Sequence, residues 1–212
     1  MKTVTDFEFV LLLVPIVSCL LPPFLLSMWW DDHEWLQKKA LKNISLLLFP
    51  SVLLLLIFGI INDRFYNTLS VSIYSVSLFL IISSGFYMLS LLRFPVNIVQ
   101  VILSLFCVVI LSLPFVFKYI GENIEGSETL QDFVNIIVNI NPFIVSCAEI
   151  EVDVLRYPIM YRFDIAGYQF SIVRILDLSK LLFLVSAVFF SIYYMIVIIV
   201  LKYRHEINRL IK

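Results

Sequence analysis

The stretch FYNTLSVSIYSVSLFLIISSGFYMLSLL, residues 65–92, contains no Asp, Glu, Lys, Arg or His. A helix that crosses the hydrocarbon core of a bilayer needs about 20 predominantly apolar residues, and this stretch is long enough to supply them. Its apolar residues form a continuous run and do not alternate with charged ones, which favours a helix over a barrel strand. The stretch therefore predicts one membrane-spanning helix.

Four further stretches are uncharged and of similar length, at residues 9–29, 44–61, 94–117 and 181–201. Of the 212 residues, 61% are hydrophobic and 15% are charged, whereas about a quarter of a soluble domain is charged. The sequence thus predicts an all-α, polytopic membrane helical bundle of about five transmembrane helices in a single membrane domain. We expect Asp177 or Ser179 to cap the last helix.

The long segment between the fourth and fifth stretches, residues 118–180, contains an uncharged run at residues 133–148. The run is short for a span, and three asparagines and Pro142 interrupt it. Amide side chains at membrane depth need protein or water around them. We predict two short apolar pieces that break at Asn141 and Pro142, in a re-entrant or interfacial segment on the extracytoplasmic side.

The basic residues of the short connections indicate the orientation, because cytoplasmic loops carry an excess of Lys and Arg. They are Lys38, Lys39 and Lys42 after the first span, Arg93 before the fourth, and Lys202, Arg204, Arg209 and Lys212 in the tail. With five spans, all of these residues share one face. The C-terminus is therefore predicted to be cytoplasmic, and the N-terminus and residues 118–180 lie on the other side.

The uncharged spans argue against several mechanisms. Ion-coupled transporters and pumps use ionisable side chains inside the membrane, and the five stretches have none. The two histidines, His33 and His205, lie outside the spans, which favours polar loop residues over a shared haem or metal site. Serines are frequent in residues 65–92, but a nucleophile needs a base within reach. We predict a non-enzyme without a catalytic, cofactor-binding or metal site.

Other charged and reactive residues have ordinary interpretations. A net charge of −1 does not suggest a nucleic-acid partner, which would need a basic patch or stripe. The three cysteines lack paired spacing and are predicted to be buried thiols that act as small hydrophobes. Glu149, Glu151 and Asp153 alternate with apolar residues. Carboxylates at this spacing can bind a divalent cation or act as general acid and base, but an exposed acidic face is the favoured interpretation.

The last third of the chain combines a span that ends near Leu113-Pro114, a polar loop, the apolar piece with Asn141-Pro142-Phe143, a final span and a basic tail. Over residues 94–212 this order resembles the C-terminal half of ABC-2-type transporter permeases. The resemblance implies the membrane half of an ATP-driven transporter, in which two such subunits pair and a separate nucleotide-binding subunit docks on cytoplasmic loops. A Walker-type loop is absent from the sequence, as expected if a separate subunit binds the nucleotide.

The resemblance makes the connection after the first span the candidate coupling surface, with Trp35, Lys38, Lys39 and the nearby Arg93. A second hypothesis is a non-catalytic structural or accessory subunit of a larger respiratory, photosynthetic or secretion complex. Uncharged spans and aromatic bulk are typical of a protein that packs beside catalytic partners. Both hypotheses predict contact with the lipid bilayer and with other membrane subunits, either identical or different.

Overall fold

The computed structural model describes residues 5–30, 38–92, 94–121, 127–151 and 173–210. Every regular element in these ranges is an α-helix, which confirms the predicted all-α helical bundle. The helices are α1 (Asp6–Trp29), α2 (Lys38–Ile61), α3 (Phe65–Ser90), α4 (Val96–Gly121), α5 (Ser127–Ile140), α6 (Pro142–Glu149) and α7 (Ile175–Leu210).

Four of these helices are long and apolar enough to cross a bilayer: α1, α3, the Val96–Phe115 part of α4 and the Ile175–Val200 part of α7. They are compatible with a multi-pass integral membrane protein. The predicted span at residues 44–61 lies within α2, which has 24 residues. The part of α2 with described side chains, Phe49–Ile61, is an apolar helix.

The last helix begins earlier than the sequence predicts. The backbone N–H groups of Asp177 and Leu178 both donate to the Arg174 carbonyl, so the helix already exists at Ile175. Asp177 lies in the first turn, where its carboxylate pairs with Lys180 at 2.9 Å. Ser179 donates to the Ile175 carbonyl within the helix at 2.7 Å. The prediction that Asp177 or Ser179 caps this helix is therefore wrong.

Helix α3 is the centre of the bundle and the most buried of the four long helices. It contacts α1, α2, α4, α6 and α7. Small side chains allow neighbouring helices to approach closely, and the buried small polar residues of α3 are Thr68, Ser70, Ser72, Ser75, Ser77, Ser83 and Ser84. The serines of the opening stretch therefore act mainly in packing.

The bundle has two distinct ends. At one end, which we call the α6 end, Leu11, Val71, Val145 and Ile175 share one apolar cluster, so the beginnings of α1, α3 and α7 meet α6. At the other, the aromatic end, the far halves of α1, α3 and α7 pack with the first turns of α4. Tyr87 is at the centre of this cluster. Helices α1, α3 and α7 therefore run in one direction and α4 in the other.

Candidate functional site

The break between α5 and α6 falls at Asn141. Helix α5 ends at Ile140 and α6 begins at Pro142, while Asn141 is extended, with φ −82° and ψ 112°. Its Oδ1 accepts hydrogen bonds from the backbone N–H groups of Phe143 at 3.1 Å and Ile144 at 3.2 Å. Proline suits the first helical position because its missing N–H would have had no partner there. Asn141 and Pro142 thus form the N-terminal cap of α6.

The amide nitrogen of Asn141 binds α4. Pro114 has no N–H, so the Ile110 carbonyl lacks its usual partner four residues along the helix. Asn141 Nδ2 donates to this carbonyl at 3.0 Å and to the Leu111 carbonyl at 3.1 Å. Asn141 is only 1% exposed. The structure therefore joins the Leu-Pro and Asn-Pro pairs, which the sequence shows as separate features, in one buried contact.

Helix α6 packs inside the end of the bundle. Val145 and Cys147 belong to one buried cluster with Leu11, Tyr74 and Leu78. Leu11 is five residues from the start of α1, which is about 8 Å along the helix axis at the usual rise per residue. Helix α6 therefore contacts α1 about 8 Å inside this end of the bundle. Burial raises the pKa of the Cys147 thiol. The thiol thus packs as a small hydrophobe would.

The C-terminal end of α6 is also held by an asparagine. Asn67, in the first turn of α3, donates from Nδ2 to the Glu149 carbonyl at 3.0 Å. The Asn139 side chain in α5 accepts from the backbone N–H of Val173, just before α7, at 2.7 Å. The α5–α6 pair is thus bound to α3, to α4 and to the segment that leads into the last helix.

Sequence reasoning missed Glu8. This carboxylate is 2% exposed. One oxygen lies 3.4 Å from Arg64 Nη2 and the other accepts from the Thr5 backbone N–H at 3.0 Å. The Thr5 hydroxyl in turn accepts from the Glu8 N–H at 3.2 Å, which completes a capping box. The signal was present in the sequence as Thr-x-x-Glu before an apolar run.

We expect Glu8→Gln to lower the free energy of unfolding by about 2 kcal/mol, because it removes the charge from a buried carboxylate that receives hydrogen bonds and faces Arg64. Thermal unfolding in detergent, followed by circular dichroism, measures the change. Asp6→Asn is the matched control, since Asp6 is exposed in the same helical turn and should lose about 0.5 kcal/mol of dipole interaction. Equal losses in the two variants would contradict a special role for Glu8.

The structure describes two of the three acidic residues that the sequence places close together. Glu149 is the last residue of α6, and Glu151 follows in a turn with φ 61°. Asp153 lies outside the described residues. Within the described ranges, no three His, Cys, Asp or Glu side chains gather as metal ligands would.

The candidate coupling residues lie in or near the gaps of the described chain. Lys38 and Lys39 are the first two residues of α2, and their side chains are outside the description. Trp35 and Arg93 lie outside the described residues. The beginning of α2 follows the aromatic end of α1, where Tyr87 contacts Trp30 and Tyr193 with ring centroids 5.4 and 4.9 Å apart. The coupling surface stays a prediction.

Comparison of the chain with protein-family models, curated proteins and solved structures finds no match. The geometry therefore defines only the class of protein. It is an α-helical membrane bundle in which a broken helix pair packs at one end.

Proposed function

We propose that the chain is the membrane-spanning permease subunit of an ATP-driven, ABC-type transporter. The observation that carries the proposal is the α5–α6 pair. In the sequence this pair lies between the last two long helices and breaks at Asn141-Pro142; α5 packs against α4, and α6 packs against α1, α3 and α7. The resemblance to ABC-2-type permeases implies such an extracytoplasmic pair. In this proposal the C-terminus is cytoplasmic, two permease subunits pair, and together they line the pathway.

Two of the long helices contain prolines, which suit a permease whose helices move. Helix α1 contains Pro15, Pro22 and Pro23, and α4 contains Pro114. A proline inside a helix removes a hydrogen bond and permits a kink. Pro23 frees the Cys19 carbonyl, which accepts from the Cys107 thiol of α4 at 3.3 Å. At two of these prolines, one in α1 and one in α4, a side chain from a neighbouring element thus donates to the carbonyl that the proline leaves without a helical partner.

The energy source in this proposal is a separate ATPase. The five predicted spans have no Asp, Glu, Lys, Arg or His with which to couple an ion gradient. The ATPase would dock on the connection between α1 and α2, with Trp35, Lys38, Lys39 and Arg93. That connection is at the opposite end of α1 from Glu8 and α6. A tilt of α1 would then link the docking face to the α6 end.

Co-purification of the full chain from its native membrane in mild detergent tests the proposal. We expect a subunit with a P-loop to be recovered, together with vanadate-sensitive ATP hydrolysis. The double charge reversal Lys38→Glu, Lys39→Glu should reduce both by several-fold. Lys180→Glu is the matched control, because Lys180 is an exposed lysine at the α6 end. The proposal would be overturned if only the control variant lost the ATPase subunit. It would also be overturned if the wild-type chain were recovered without any P-loop subunit.

The accessory-subunit hypothesis keeps one observation in its favour. Helices α4 and α7 are the least buried of the long helices. Their exposed apolar residues, Leu105 and Leu184 among them, offer room for helices of other subunits as well as for lipid. Recovery of redox or secretion proteins in the same purification, without a P-loop subunit, would support this second function.

A further inference from the structure

A cavity of about 380 Å³ lies between α1, α2 and α3. This volume is within the range of about 300–1,000 Å³ that is usual for small-molecule sites. Helices α1 and α2 both pack on α3 but contact each other less, so the cavity forms between them with α3 as its floor. The floor includes Ser72, Ser75 and Phe79, all of which are buried.

The cavity is long, apolar and open to the bilayer. Its wall on α1 runs from Val10 to Leu25, about 22 Å at the helical rise per residue. Half of a bilayer core is about 15 Å thick, so one extended acyl chain fits along this wall. Val17, in the middle of the wall, is 50% exposed. A hydrocarbon chain can therefore enter sideways from the lipid.

One polar group on the floor lacks a partner. Ser72 is 2% exposed, and its hydroxyl forms no hydrogen bond with any described residue. Ser75, one turn further on, instead donates to the Val71 carbonyl at 2.7 Å. A buried hydroxyl without a partner is unfavourable, and a rotation about χ1 would let the Ser72 hydroxyl donate to an oxygen of a molecule bound in the cavity. Ser18 also lines the cavity, and its carbonyl is freed by Pro22.

We propose that this cavity binds the hydrocarbon chain of an amphiphile, with the Ser72 hydroxyl donating to an oxygen at the head of that chain. Ser72 is seven residues into α3, and α1 and α3 run in the same direction. From the corresponding level of α1, at Leu13, the wall continues for about 18 Å to Leu25, the length that the apolar tail needs. The proposal does not depend on transport, because a resident lipid and a transported amphiphile would contact the same groups.

Photo-crosslinking of the full chain in phosphatidylcholine vesicles tests the site. The probe is a phosphatidylcholine with a diazirine in one acyl chain, and a second arm uses diazirine-labelled palmitate. Mass spectrometry locates the adducts. We expect them to concentrate on the floor residues Ser72, Ser75 and Phe79, which line the cavity but are buried from the outside of the bundle. Labelling by the phospholipid assigns the site to bilayer lipid, and labelling by palmitate alone assigns it to a free amphiphile.

Two variants make the test specific. Val17→Trp fills the open wall and should reduce floor labelling about tenfold, whereas Val188→Trp, at a residue of α7 that is 47% exposed, should leave it unchanged. Ser72→Ala should weaken binding by about two- to tenfold, the value of one hydrogen bond. Ser77→Ala is its control, since Ser77 donates to the Tyr74 carbonyl and does not line the cavity. Uniform labelling of all lipid-facing helices, or equal labelling in Val17→Trp and Val188→Trp, would overturn the proposal.

Discussion

Replacing Asn141 with leucine is expected to lower the free energy of unfolding by about 3 kcal/mol. The variant loses the cap of α6, worth about 1 kcal/mol, and leaves the part-buried Ile110 carbonyl without its donor, which costs about 1–3 kcal/mol. Leucine is branched at Cγ like asparagine but is larger, so it fills the space without restoring either bond, and its extra volume adds to the loss. Unfolding by sodium dodecyl sulfate, followed by circular dichroism, measures the change.

The matched control is Asn62→Leu. The Asn62 amide also donates to a backbone carbonyl, that of Phe58 at 2.8 Å, but the bond is exposed, and water replaces it. We expect this variant to lose less than about 0.5 kcal/mol. A loss as large as that of Asn141→Leu would mean that the buried position of Asn141 has no special value.

A second substitution separates the two roles of the Asn141 amide. Pro114→Ala returns an N–H to α4 that can bond the Ile110 carbonyl, so the carbonyl no longer needs Asn141. In the Asn141→Leu background, Pro114→Ala should recover about 1–2 kcal/mol, and the two substitutions should not be additive. Additive effects would show that Asn141 stabilises α6 alone and that the contact with α4 contributes nothing.

The sequence predicts the helices well because long uncharged runs determine them. The runs at residues 9–29, 65–92, 94–117 and 181–201 each lie largely within a long apolar helix of the structure. The ends are less accurate. Helix α1 begins at Asp6 and α7 at Ile175, since a capping box and an ion pair three residues apart keep charged residues inside the first turns. Counting uncharged residues cannot reveal such local partners.

The hydrogen-bond partners of the site residues could not be predicted from the sequence. Asn-Pro predicts a helix break from local chemistry, and Asn141 does cap α6. That its amide would also reach the carbonyl freed by Pro114 depends on how α4 packs against the α5–α6 pair. The serines of α3 also look alike in the sequence but differ in the structure. Ser75 donates to a carbonyl of its own helix, whereas Ser72 lines a cavity. Only the neighbouring helices distinguish them.

Gly59→Ala is expected to destabilise the chain by about 2 kcal/mol, although alanine is the better helix former. A methyl group at residue 59 would lie 2.6 Å from Thr68 Oγ1 and 2.7 Å from Thr68 Cβ. The Cβ atom is fixed to the backbone of α3, so a rotation of the Thr68 side chain cannot relieve the overlap, and α2 must move away. The turn between these helices already includes Asp63 at a φ of 53°.

Gly85→Ala is the matched control, because a methyl group there would meet Leu103 Cδ2 at 3.7 Å, an ordinary contact. We expect this variant to be neutral or more stable by up to about 1 kcal/mol. Thr68→Gly should be less harmful in the Gly59→Ala background than in the wild type, because it removes the overlapping atoms. If Gly59→Ala and Gly85→Ala have the same stability, α2 does not depend on close contact with α3. If they differ as expected, the Gly59–Thr68 contact holds the α2 wall of the cavity at a fixed distance from the α3 floor, and Gly59→Ala should also change labelling of Ser72, Ser75 and Phe79.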